Sequence, residues 1–204
     1  EAAARRDTAD FTSRTRVASA ARGIGDILRW NNPAEAMVAY DLALTRLGEV
    51  RGNLKTQRDI AIVLANSSYA LLGLKRDADA DQRIDRATAI LHSIKDLPAT
   101  TVGLNSAAIH VVQARADHHA AQGHQAQAIA AYEHLVEQVM ATRPDVEHDI
   151  RDAHSLSLLR RDLAALYRLA GNAAKADPLA SQNRALWQHW DTRLPGNTFV
   201  RRRL

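Results

Sequence analysis

An alanine returns four times along this chain, at Ala36, Ala80, Ala128 and Ala176, spaced by 44, 48 and 48 residues. Four residues after the first three stands a bulky group: Tyr40, Ile84 and Tyr132. Where two antiparallel helices cross closely, only a small side chain fits between them, and a larger one a turn later fills the next groove. A regular return of that pair predicts that the chain repeats one helical unit.

The remaining sequence agrees. Apolar residues recur at helical spacing, as in Ile60, Val63, Leu64, Leu71 and Leu74, and nowhere with the sustained alternation of a strand. The breaks carry turn chemistry: Asn31-Asn32-Pro33, Gly52-Asn53, Asp77 to Asp79, Leu97-Pro98, Gln122-Gly123, Arg143-Pro144 and Gly171-Asn172. They predict helices over 7–30, 34–50, 54–75, 79–95, 100–121, 125–142, 145–170 and 173–191. Pro178 fits the last one as an early-turn residue if that helix starts near Asp177, and otherwise kinks it. Short connections make neighbouring helices antiparallel, so the expected fold is all-α, with four hairpins in sequence.

Composition narrows the classes. Alanine is about a fifth of the 204 residues, aromatics are 4%, and there are 9 glycines and 5 prolines. That excludes an all-β sandwich or barrel, which needs many turns and β-branched or aromatic strands. It also excludes collagen-like and disordered chains. With no cysteine there is no disulfide framework, thiolate metal site or thiol nucleophile. No apolar run is long enough to span a bilayer, so no membrane insertion is expected. The formal charge is +4, of which Arg201, Arg202 and Arg203 supply three. The body is nearly neutral, unlike a nucleic-acid-binding face. Because the sequence starts at Glu1 rather than Met, it reads as a processed form or an excised piece. It would be cytoplasmic, or extracytoplasmic if tethered behind an upstream membrane span.

The repeating residues are Gly25, Ala36, Tyr40 and Ala43; Ala80, Ile84 and Ala87; Gly123, Ala128 and Tyr132; and Leu163, Tyr167, Gly171 and Ala176. In these the chain resembles tetratricopeptide-repeat proteins over residues 15–190. Its period exceeds the usual length of about 34, and the proline that closes each repeat is missing or displaced. The resemblance implies hairpins stacked as a right-handed α-α superhelix, forming one domain over 1–194. A narrower resemblance lies in Leu186-Trp187-Gln188-His189-Trp190 and the following residues to Leu204. This looks like the C-terminal signature of bacterial serine/threonine protein kinases that carry tetratricopeptide repeats. It implies a kinase-associated repeat region, with any catalytic domain upstream; the chain itself has no Gly-rich phosphate loop, HRD or DFG.

In such a superhelix the first helix of each hairpin lines a concave groove suited to a protein or peptide. The repeat register places there Arg22 and Asp26, Asn66 and Tyr69, His110, Gln113 and Asp117, and Arg161 and Arg168. Asn66 matches the asparagine with which chaperone-binding repeats hold a peptide carboxylate. The partner lysines are replaced by His110 and Ala114, which argues against a chaperone-tail receptor. The expected function is therefore a non-catalytic, protein- or peptide-binding module, the interaction or sensory region of a larger bacterial signalling protein. The alternatives are a small-molecule-sensing or nucleic-acid-linked regulatory domain, or a self-associating scaffold; a homo-oligomer is compatible with all of these.

Other constellations read as structural. The nine histidines form no HExxH or finger spacing, so no metal, cofactor or catalytic residue is expected. His118 and His119 are adjacent and point apart, His110 and Asp117 share a face, and His148, Asp149, Asp152 and His154 form a mixed cluster. Ser67 and Ser68 lack a nucleophile elbow. Asp59 with Arg58, and Asp162 with Arg161, read as solvated ion pairs. Trp30 reads as packing. Trp187 and Trp190 share a face and read as a cap for the terminal hairpin, against the alternative of a partner-docking platform. The tail 195–204 is expected to turn at Pro195-Gly196, lay Phe199 on the last hairpin and leave the three final arginines in solvent.

Overall fold

Short polar side chains set where the helices begin. Asn32, Asn53, Ser106, Asp149, Asn172 and Asn197 each accept a hydrogen bond from the backbone N–H of the second or third residue of the helix that follows. That satisfies donors which otherwise have no partner. A computed structural model describes residues 11–50 and 53–204. Its helices are α1 Phe11–Leu28, α2 Pro33–Gly48, α3 Leu54–Gly73, α4 Asp77–Ser93, α5 Ala107–Ala121, α6 Gln125–Ala141, α7 Ile150–Leu169, α8 Ala173–Arg193 and the short α9 Thr198–Arg201. The described residues contain no strand. Positions 7–10 of the first expected helix lie outside the described residues.

Two expected helix starts are wrong for the same reason. Helix α5 begins at Ala107, not near residue 100, and α7 begins at Ile150, not 145. In each case a cap residue further along, Ser106 or Asp149, wins the start. Ahead of Ser106 the β-branched run Thr100-Thr101-Val102 stays non-helical. Val102 donates its N–H to the Gln138 carbonyl at 3.2 Å, and Val102 and Leu104 are buried against the core. Helix α8 starts at Ala173, so Pro178 lies inside it rather than in an early turn from Asp177. Gly123 and Gly171 follow the ends of α5 and α7 at φ of +78° and +71°, the left-handed region that favours glycine at this position.

Each helix packs on the next, in the pairs α1–α2, α3–α4, α5–α6 and α7–α8. Second helices also touch the following first helix: α2 on α3, α4 on α5, α6 on α7. Helix α1 further touches α3, and α3 packs along α5. The recurring alanines Ala36, Ala80, Ala128 and Ala176 are all fully buried, as are Tyr40, Ile84 and Tyr132. Two apolar clusters form the core. One joins α1 through α4 and the other α3 through α8.

Gly25 shows how tight the first crossing is. A Cβ added there would lie 2.7 Å from Tyr40 Cε1 and 2.8 Å from two further ring carbons. The Tyr40 ring therefore lies directly against the α1 backbone.

The last hairpin closes differently. Trp187 and Trp190 are buried with Ala153, Leu186 and Val200, and Trp190 Nε1 donates to the Val146 carbonyl at 3.0 Å. Buried indoles cannot form an exposed docking platform. After Leu194 the chain turns through Gly196, at φ +80°, into α9. Val200, not Phe199, is the residue fully enclosed; Phe199 is 39% exposed and meets the Trp187 ring edge-on at 6.0 Å. Arg201 and Arg202 are exposed. Arg203 is not left in solvent, because its guanidinium lies 3.5 Å from the Phe199 ring centre and its Nε donates to His154 Nδ1 at 3.2 Å.

Candidate functional site

Residues 22, 26 and 29 fall on one stripe of α1, since spacings of three and four return to the same helix face. The same argument aligns Asn66 with Tyr69 on α3, and His110, Gln113 and Asp117 on α5. Because α3 packs between α1 and α5, these three stripes meet on one side of the molecule.

Two carboxylates organise that side. Asp26 Oδ1 accepts from the Tyr40 hydroxyl at 2.8 Å and from Asn66 Nδ2 at 2.9 Å. Asp117 accepts from the Tyr69 hydroxyl at 2.7 Å and the Tyr132 hydroxyl at 2.5 Å. Gln113 Nε2 donates to the Tyr132 oxygen at 3.5 Å. In the first and third hairpins a second-helix tyrosine thus bonds a first-helix aspartate, and α3 supplies the other donor to each. Burial pushes the Asp117 carboxyl above its ordinary value, and the Tyr132 and Tyr69 hydroxyls pull it partly back. Burial, then the Asp117 charge, pushes both of those tyrosines far up. Tyr40 is raised the same way, by burial and then by Asp26. All three phenols stay neutral donors at physiological pH.

Beside the network lies a basic and aromatic strip. The Arg29 guanidinium sits 5.1 Å from the Tyr69 ring centre and 5.2 Å from that of Trp30, and the two rings are 5.5 Å apart. Arg29 also reaches Asp26 Oδ1 at 3.9 Å, but its Nε is buried without a hydrogen-bond partner. Trp30 is 65% exposed, so it is a surface residue rather than packing. Arg22 is half-buried with no acidic partner among the described residues. His110 is held neutral chiefly by burial and then by the Arg22 charge.

Of the residues expected to line a groove, Asp26 and Asn66 form one hydrogen-bonded group, and Asp117, Tyr69 and, through Tyr132, Gln113 form a second. Arg22 and His110 lie beside them. Arg161 and Arg168 are not brought in: Arg161 pairs with Asp162 at 2.7 Å and Arg168 reaches Asp177 on α8 at 3.5 Å. Helix α7 packs on α6 instead of continuing the α1–α3–α5 stack. Sequence reasoning missed Arg29 and Trp30, although Arg29 continues the 22–26 stripe by one more step.

The other constellations dissolve into structure. Ser67 and Ser68 donate back to the Leu64 and Ala65 carbonyls, so no base holds either hydroxyl. Arg58 bonds Asp96, not Asp59, which pairs with Lys55 one turn earlier at 2.7 Å. His118 is buried 3.5 Å from Asp81. Asp149 caps α7 while His154 faces Trp187 and Phe199. Among the described residues no three His, Asp or Glu side chains converge as a metal site would need. A cleft of about 760 Å³ between α2 and α4 includes none of the expected groove residues. No helix of the described residues is long and apolar enough to cross a membrane.

No protein-family model, curated protein or solved structure matches this chain.

Proposed function

We propose that the chain is a non-catalytic helical-repeat module of the tetratricopeptide kind, and that its α1–α3–α5 face is the concave side, where it binds an acidic or aromatic peptide segment. The observation that carries this reading is the division of labour on that face. Asp26 and Asp117 are consumed by internal hydrogen bonds that fix the spacing of three helices. Beside them lie His110, Arg22, which has no acidic partner among the described residues, and the exposed Trp30 ring against Arg29 and Tyr69. A rigid framework carrying an unpaired cation and an exposed indole suits a ligand with carboxylates and aromatic rings, since arginine pairs with the first and stacks on the second.

The packing order favours a superhelix. Over the first three hairpins the first helices touch in turn, α1 on α3 and α3 on α5, while second helices touch only their neighbours in sequence, as in stacks where each repeat contacts just the adjacent one. In a larger signalling protein of the bacterial kinase kind, such a module would be the interaction or sensory region.

Fluorescence anisotropy with labelled random 12-residue peptides tests the reading. Pools enriched in Asp, Glu, Tyr and Phe should bind the full chain, and Arg22→Glu should weaken them by about tenfold, the effect of about 1.4 kcal/mol. Equal binding of acidic and basic pools, or an unchanged affinity in Arg22→Glu, overturns it.

A further inference from the structure

The last hairpin carries a second polar surface that the α1–α3–α5 face does not use. A cavity of about 410 Å³ opens there, lined among others by His154, Arg161, Asn183, Trp187, Arg202 and Arg203. Its residues come from the last hairpin, α7 and α8, and from the tail after α9.

The charges in it do not cancel. Arg161 is matched by Asp162 at 2.7 Å. Arg202 has no carboxylate partner among the described residues, and the partners of Arg203 are all uncharged: it donates to His154 Nδ1 at 3.2 Å and to the Phe199 carbonyl at 2.7 Å. Stacking on Phe199 and a 5.4 Å approach to the Trp187 ring hold the Arg203 guanidinium in place. Two positive charges therefore stand in one concavity without an anion. His154 cannot share that load. Its Nδ1 accepts from Arg203, which leaves its proton on Nε2, and burial together with Arg203 and Arg161 keeps the ring neutral.

A polar group is also left over. Asn183 Nδ2 donates to the Ser157 carbonyl at 2.7 Å, but its Oδ1 is buried with no partner.

We infer that this cavity binds an oxyanion, a phosphate monoester or a carboxylate, held by the unpaired Arg202 and Arg203. Guanidinium forks match the paired oxygens of both anions. Trp187 forms an apolar wall beside them. The inference stands apart from peptide binding on the α1–α3–α5 face, because it concerns other residues and a small anion alone can test it.

The test uses the full chain carrying Trp30→Phe, so that Trp187 and Trp190 report alone. Inorganic phosphate, methyl phosphate, acetate and chloride are titrated at constant ionic strength, read by tryptophan emission and by calorimetry. A saturable response to the phosphates or to acetate, at least about tenfold stronger than to chloride, is expected, the difference that about 1.4 kcal/mol of specific contact produces. The arm that binds tighter, phosphate or acetate, identifies the natural anion class. Arg202→Gln and Arg161→Gln should each weaken that response, and neither touches the stack of Arg203 on Phe199, so circular dichroism should be unchanged. Arg203→Lys keeps the charge but loses the fork and should bind more weakly than the parent. No saturable signal by either readout, a chloride response of equal size, or parental affinity in both glutamine variants overturns the inference.

Discussion

Among the described residues the two ends of the helix stack meet water in opposite ways. At the C-terminal end the tail folds over the last hairpin, enclosing Val200 and covering Trp187 and Trp190, with Arg203 laid across Phe199. On the first hairpin Ile24, Ile27 and Val38 stay exposed, Ile27 at 75%. Stacked repeats bury each hairpin against its neighbours, so a terminal unit always presents an apolar face that something polar must cover. This chain builds such a cover at one end from its own last ten residues. The difference teaches that a cap is a local device encoded in a few residues, not a property of the stack as a whole.

The widest gap between the ends should appear when their aromatic and aliphatic groups are removed. Trp187→Ala takes a buried indole from the capped end and should cost about 3–5 kcal/mol, read as a lower urea midpoint at constant slope. Ending the chain after Leu194 removes Val200 and uncovers the indoles. It should cost about 1.5–3 kcal/mol for the lost burial and raise binding of a hydrophobic dye. A truncated chain as stable as the parent would erase the contrast between the ends.

Gly25→Ala asks whether the exposed end is also loosely packed inside. The new Cβ would meet the Tyr40 ring at 2.7 Å. The ring must shift, breaking its 2.8 Å hydrogen bond to Asp26. A loss of about 1–3 kcal/mol, the usual cost of overpacking, would show that the first hairpin is as close-packed as the last and differs only at its surface. A neutral result would extend the contrast into the core.

How far the sequence carried this picture follows from what periodicity can encode. Ala36, Ala80, Ala128 and Ala176 mark crossings because only a small residue fits there, and that steric demand is local and repeats. Asp26, Asn66, Tyr69, Gln113 and Asp117 were legible as one face, because helical spacing gives a side chain's direction. Their partners were not. The bond from Asn66 to Asp26 spans 40 residues and that from Tyr69 to Asp117 spans 48, and no local pattern specifies a pairing between helices. Arg161 and Arg168 lie off that face for a related reason. The repeat register assumed that α7 continues the row of first helices, whereas the non-helical 142–149 connection delivers it onto α6. Arg203 failed because three terminal arginines look solvated until Phe199 offers a ring face on which to stack.

Acid should act on both ends together. Burial lowers the pKa of His110 near the first hairpin, of His154 at the last and of His119 between them, with neighbouring arginines adding to each shift. A folded pKa below the unfolded value gives stability that is complete above the ordinary imidazole value of about 6.5 and is lost as pH falls through the folded value. Asp117, raised by burial, has the opposite sign. Its contribution is complete below the ordinary carboxyl value and lost as pH rises through the raised one, so at low pH it opposes the histidines. The urea midpoint should therefore fall between pH 7.5 and 5.5, and His154→Gln should flatten that slope. An unchanged slope in the variant would remove the capped end from the pH response.

The smallest effect is expected where the contrast is sharpest to the eye. Ile27 and Val38 are large, apolar and exposed, yet exposure means that folding gains little from them. The hydrophobic term scales with area removed from water, and a residue still three-quarters accessible has given up only a small part of its own. Ile27→Ser should change stability by no more than about 0.5 kcal/mol, the ordinary range for surface positions. The same polar substitution at Val200 should cost several times more, because that side chain is wholly enclosed. If Ile27→Ser instead lowered the urea midpoint as much as Val200→Ser, and did so at every protein concentration, the first hairpin would have a cover within its own chain. If the loss appeared only at high concentration, copies of the chain would be burying this face against one another.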